Sequence, residues 1–150
     1  MILEKFLEQH RKIGLDTSVF IFQVDENPRY IHLTHRVFEW LQSSRNAGVT
    51  STITMLEVLV QPYREAEDER IDNFYALLST YPHLTWIETN LEIADRAAQL
   101  RTRFNLRTPD AIQAATAIAG NATGFISNDP AFRRIPDFEV IILDDLLKSS

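Results

Sequence analysis

The stretch "RTPDAIQAATAIAGNATGFISND", residues 107–129, joins two patterns whose order decides the fold. Its first part, 108–120, is a run of small and apolar side chains that reads as a helix, with Thr108 as a candidate N-cap and Pro109 in the first turn. Its last part, "TGFISND" at 123–129, is a short apolar run closed by polar residues, the pattern of a buried strand. One residue stands out: Asp110 heads a helix that otherwise reads as made for burial.

Working outward, the alternation continues. "KIGLD" (12–16) reads as a strand, and "TSVFIFQ" after it starts with two hydroxyl residues suited to a helix N-terminus. A loop at "DENPRY" precedes a helix over 31–44, where Leu33, Val37, Phe38 and Leu41 share one face. "VTSTI" (49–53) reads as a strand and "TMLEVLVQPYR" (54–64) as a helix, with Thr54 and Glu57 at capping-box spacing. A charged helix over 64–82, a strand at "LTWIE" (84–88) and a helix over 90–105 lead back to the opening stretch, and "FEVIIL" (138–143) adds a last strand. Strands alternating with helices along the whole length predict a three-layer α/β/α domain with a central parallel sheet. With no internal repeat and no Gly/Ser-rich linker, residues 1–150 are expected to form one domain, with 1–11 as an N-terminal extension, either an added helical turn or a loose end.

Composition narrows the setting. A chain of 150 residues that is 45% hydrophobic can bury a substantial core. It has no cysteine, which removes disulfides and thiolate metal sites and suits a reducing cytoplasm. Glu4, Lys5 and Glu8 interrupt the N-terminal apolar residues, and no stretch is long enough to span a bilayer, so a soluble, cytoplasmic protein without membrane attachment is expected. The net charge of −6 argues against coating nucleic acid by bulk electrostatics. Of the 15 basic residues only Lys5, Lys12 and Lys148 are lysines, so positive charge rests on arginine, which suits bidentate recognition of phosphate or carboxylate.

In an open parallel sheet the ligand crevice lies beyond the carboxyl ends of the strands. Four acidic residues fall at such places: Asp16 ends the first strand, Glu57 lies a turn past the second, Asp110 heads a helix, and Asp129 ends "TGFISND". Each has a plain structural explanation. Asp110 suits a helix dipole, Glu57 a capping box, Asp16 the amides of the next helix and Asp129 a turn. Together on one rim they would repel, and a divalent cation such as Mg²⁺ or Mn²⁺ would balance them, activate water and neutralise charge on a phosphate.

The blocks "IGLDTSVFIF", "TSTITMLEVL", "RTPDAIQAATAIAGNATGFISNDPAF" and "FEVII", spanning roughly residues 12–143, resemble the PIN-domain ribonucleases, especially the VapC-like toxins of prokaryotic toxin–antitoxin modules. The resemblance implies an Mg²⁺- or Mn²⁺-dependent endoribonuclease, often a homodimer, restrained by a protein antitoxin. It places catalysis on Asp16, Glu57, Asp110 and Asp129, with metal on Asp16, Asp110 and Asp129, and supporting roles on Thr17, Ser18, Ser127 and Asn128. Ser127 stands where the family commonly has threonine. Arg101, Arg103 and Arg107 before Asp110, with Arg133 and Arg134 after Asp129, become candidates for holding an RNA backbone. Tyr30, Trp40 and Trp86 read as core, and His10, His32, His35 and His83 show no ligand spacing.

Competing readings are a stand-alone PIN-domain nuclease of RNA processing and a catalytically inactive RNA- or protein-binding domain of the same fold. A haloacid-type phosphatase wants an aspartate where Ser18 stands, and a receiver domain wants a lysine after a late strand, where only Lys148 at the tail is available. Ser-His-Asp hydrolysis lacks a GxSxG elbow.

Overall fold

A computed structural model describes residues 1–148; the last two residues of the expected domain lie outside the described residues. Five strands run in parallel in the order β3-β2-β1-β4-β5: β1 (Lys12–Leu15), β2 (Ala47–Ser51), β3 (Leu84–Ile87), β4 (Gly124–Ser127) and β5 (Glu139–Ile142). The helices are α1 (Ile2–Gln9), α2 (Thr17–Val24), α3 (Ile31–Leu41), α4 (Ile53–Arg64), α5 (Asp68–Thr80), α6 (Leu91–Phe104), α7 (Thr108–Ala119) and α8 (Leu143–Lys148). Two apolar clusters cover the sheet. One joins Phe6, Phe20, Phe38 and Phe74 to Leu15 and Ile126; the other joins α6 and α7 to Phe125, Phe132 and Phe138. The three-layer α/β/α reading is therefore right.

The opening stretch earns its composition by packing. On α7 the buried residues include Ala111, Ala114, Ala115 and Ala117, and these small side chains let the helix lie against the middle of the sheet. The approach is close enough that a Cβ on Gly14 of β1 would meet Phe125 Cδ2 at 2.6 Å and Ala117 Cβ at 2.8 Å. β1 is bonded on both sides, Ile13 standing opposite Gly48 of β2 and Gly124 of β4.

Several boundaries differ from the sequence reading. β2 begins at Ala47, two residues before the expected start, because its Ala-Gly opening pairs with Lys12 and Ile13 and the pairing overrides weak strand propensity. Helix α4 starts at Ile53, whose amide is taken by Ser51 Oγ at 3.1 Å, so Thr54 is not its cap. In α7 the N-cap position is Arg107, and Thr108 is already helical. Residues 143–148 add a helix that the apolar run hides, and residues 2–9 form a helix with Leu3, Phe6 and Leu7 buried, so the start of the chain is not a loose end.

Candidate active site

β1 and β4 are neighbours, and the chain leaves β1 towards β2 on one side while β4 and β5 lie on the other. The switch in strand order therefore falls between them, where a crevice opens at the carboxyl ends. Asp16 follows β1 directly and N-caps α2: its Oδ1 accepts from Thr17 N at 2.9 Å. Its Oδ2 accepts from Ser127 Oγ at 2.6 Å across the β1–β4 gap. Ser127 Oγ in turn accepts from Asp129 N at 3.0 Å, and Asp129 Oδ1 caps a 3₁₀ turn (Pro130–Arg134) through Ala131 N at 2.9 Å. Asn128 anchors this corner, its Oδ1 accepting from Asp144 N at 2.8 Å and its Nδ2 donating to Tyr30 Oη at 3.3 Å.

Asp110, in the first turn of α7, accepts from Arg107 Nε at 3.1 Å, and the same guanidinium reaches Asp129 Oδ2 at 3.5 Å. Glu57 makes no capping box. Its Oε1 accepts from Thr17 Oγ1 at 2.7 Å, a bond from α4 to α2 that turns the carboxylate to the rim. Asp16, Glu57, Asp110 and Asp129, from four separate elements, line one cavity of about 310 Å³ together with Arg107 and Ser18.

The electrostatics of this cavity are unbalanced. Burial pushes the Asp16 carboxyl up to about 6; the bonds from Ser127 and Thr17 pull the other way, and Asp110 and Glu57 add repulsion. The Asp110 carboxyl is also raised, first by burial and then by Asp129, against the pull of Arg107. Arg107 is the cation that bridges two of the acids, yet its side chain is 75% exposed, so the pairs are weak and readily exchanged.

Among the described residues no group of three or more His, Asp or Glu forms a ready-made metal cage. The residues nonetheless fit a hard cation of the Mg²⁺ or Mn²⁺ type, which needs only one or two carboxylates and keeps several waters. The donors at the rim are oxygens, the carboxylates carry a cost that a cation would relieve, and the buried Ser18 Oγ at the cavity wall has no hydrogen-bond partner among the described residues.

The other arginines stand elsewhere. Arg134 donates to the carbonyls of Phe104 and Asn105 at the end of α6, Arg133 pairs with Asp145, and Arg103 lies over the Phe104 ring. Arg101 lines a groove between α6 and α7 with Thr108. Among the five candidates for RNA contact, Arg107 is the one these bonds bring to the carboxylates. The aromatics read as core pack as such: Tyr30 stacks on Phe22, Trp86 lies against Phe20, and Trp40 donates to Leu7 O. None of the four histidines lines the cavity; His10 is buried against Thr123, and His83 contacts Leu41 O. The reading of motifs missed Gln113, which is buried behind the site and bonded to Thr17 and Thr54. Its signal was available: a lone amide one turn past Asp110 on an alanine-rich helix.

Comparison with known proteins bears on this arrangement. Residues 13–137 match the model of the PIN domain family. Curated protein sequences give no significant match. Among solved structures, the VapBC2 complex of Rickettsia felis bound to promoter DNA aligns with a TM-score of 0.70 and 20% identity over 87% of this chain and 98% of that one. A toxin–antitoxin complex from Klebsiella pneumoniae aligns at 0.65 and 26%, over 86% and 95%. The sarcin–ricin loop cleaving toxin VapC20 of Mycobacterium tuberculosis aligns at 0.65 and 17%, over 81% and 92%. The match over most of its length and the parallel five-stranded sheet lead to one assignment: the chain belongs to the PIN domain family.

Proposed function

We propose that this protein is a metal-dependent endoribonuclease and the toxin of a toxin–antitoxin pair. The observation that carries the reading is the convergence of Asp16, Glu57, Asp110 and Asp129 on one cavity at the switch point of a PIN-family sheet. Asp16, Asp110 and Asp129 would hold Mg²⁺ or Mn²⁺. When bound, the ion supplies an activated water and neutralises charge on the phosphate. Glu57, fixed by Thr17, accepts a proton from water at the rim, while Ser127 and Thr17 hold Asp16 in one orientation. Asn128 keeps the β4 corner in register. Arg107 is released from Asp110 and Asp129 to the RNA backbone, and the exposed guanidinium makes that exchange cheap.

The antitoxin partner is supported by likeness to toxin–antitoxin assemblies from three organisms. A homodimer is supported by the apolar stripe of Leu56, Val60 and Tyr63 that α4 leaves exposed. No helix among the described residues is long and apolar enough to cross a membrane. The reading as an inactive domain of the same fold draws on Arg107, which pairs with Asp110 and Asp129 at the rim.

Incubation of the purified protein with RNA separates these readings. Cleavage is expected with Mg²⁺ or Mn²⁺, and its loss is expected in excess EDTA and in Asp16→Asn. Undiminished cleavage in EDTA would overturn the metal-dependent mechanism. The absence of cleavage with either ion would favour the inactive domain.

A further inference from the structure

Gln113 is 2% exposed on the buried side of α7, which is made mostly of alanine. Burying an amide there is costly unless each polar atom finds a partner. Its Oε1 faces Ser51 N, a group that can only donate, at 3.4 Å. That fixes the amide orientation and turns Nε2 to two hydroxyls, Thr54 Oγ1 at 2.7 Å and Thr17 Oγ1 at 3.3 Å.

The direction of every proton in this network follows. An amide NH₂ only donates, so both threonines spend a lone pair on Gln113 and must send their own protons elsewhere. Thr50 Oγ1 donates to Leu15 O at 2.9 Å, so it receives the Thr54 proton across 2.7 Å. Thr17 then has Glu57 Oε1, at 2.7 Å, as the acceptor for its proton. The alternative acceptor, Thr54 Oγ1, is 3.5 Å away and already accepts from Gln113.

We propose that Gln113 is a positioning residue: by occupying the acceptor side of Thr17 it commits the Thr17 hydroxyl to Glu57 and holds that carboxylate in the orientation the rim requires. The inference rests on the role given to Glu57 in the proposed nuclease reaction. Gln113 itself stands behind Thr17, out of the cavity lining, and acts through it.

Gln113→Met keeps the volume and removes both donors. In this variant kcat on RNA should fall about tenfold, the scale of one lost hydrogen bond, with KM for RNA and the Mn²⁺ requirement within about twofold of wild type. Added to Thr17→Val, the same change should lower kcat no further, because the route through Thr17 is already cut. Crystal structures of the metal-free proteins test the geometry without any activity: Glu57 should remain on Thr17 in the wild type and leave it in Gln113→Met. A wild type without nuclease activity would sink the functional reading and leave this structural half standing or falling by itself. Wild-type kcat in Gln113→Met, full additivity with Thr17→Val, or a Glu57 unmoved in the variant would each overturn the proposal. If Gln113→Met does not fold, the Gln113 side-chain amide resonances decide: they should shift in Thr17→Val, and unchanged resonances would overturn the proposal.

Discussion

Asp16 carries a tension that can be read as stability. Its carboxyl, pushed up to about 6 by burial from an ordinary 3.8, binds a proton more tightly in the folded than in the unfolded chain. The stability this contributes is fully present below about pH 3.8 and is lost as pH climbs through about 6, because above that the folded protein must carry a buried charge. Asn at this position has no charge at any pH, and it can still cap α2. In EDTA, Asp16→Asn is therefore expected to be more stable than wild type at pH 8, by up to about 3 kcal/mol at about 1.4 kcal/mol per pKa unit, with the gain shrinking towards pH 4. Urea unfolding at the two pH values measures it. An equal difference at both would show that the charge of Asp16 is not what the fold works against.

At the scale of the element, α7 ties fold to site: its alanines press on the sheet while Asp110 lines the crevice and Gln113 braces Thr17 behind it. The tightness of that contact is testable at Gly14, where a methyl group would intrude on Phe125 and Ala117. Gly14→Ala should lower stability by about 1–3 kcal/mol through overpacking, seen as a shifted urea midpoint with unchanged slope. An unaffected midpoint would mean that the helix has room to retreat. The same element shows what the sequence discloses. Alanine at 111, 114, 115 and 117 announces a buried helix, and Asp16 and Asp129 are visible because they follow apolar strand runs. The contact between Thr17 and Glu57 is not visible, since it joins residues 40 apart and a capping box with Thr54 satisfies the same local pattern. Residues 143–148 were hidden for a related reason: Leu143 continues the apolar run of β5 while belonging to a helix. Ala47 and Gly48 read as loop because pairing partners, not their own propensity, make them strand.

For the whole molecule, α1 is part of the core. Phe6 is 2% exposed, packs at a tilt against the His10 ring and sits over Gly124, where an added Cβ would meet its Cζ at 2.7 Å. Phe6→Ala should cost about 3–5 kcal/mol. A loss below about 0.5 kcal/mol, the range of ordinary surface substitutions, would return residues 1–11 to the status of an appendage. That change lies at the opposite end of β4 from the acidic rim, so its effect on the fold can be separated from effects on the site. The central claim is that four carboxylates, brought together by this topology, form one cation-dependent site. Its most direct measurement is the thermal midpoint of wild type and Asp110→Asn, each in EDTA and in Mn²⁺. Burial and Asp129 raise the Asp110 carboxyl despite Arg107, so the metal-free variant should melt at or above wild type. A ligand that binds only the folded chain stabilises it, so Mn²⁺ should raise the wild-type midpoint and leave the variant nearly unchanged. A variant that melts well below wild type in EDTA yet gains fully from Mn²⁺ would contradict the account and leave Asp110 as a first-turn helix residue.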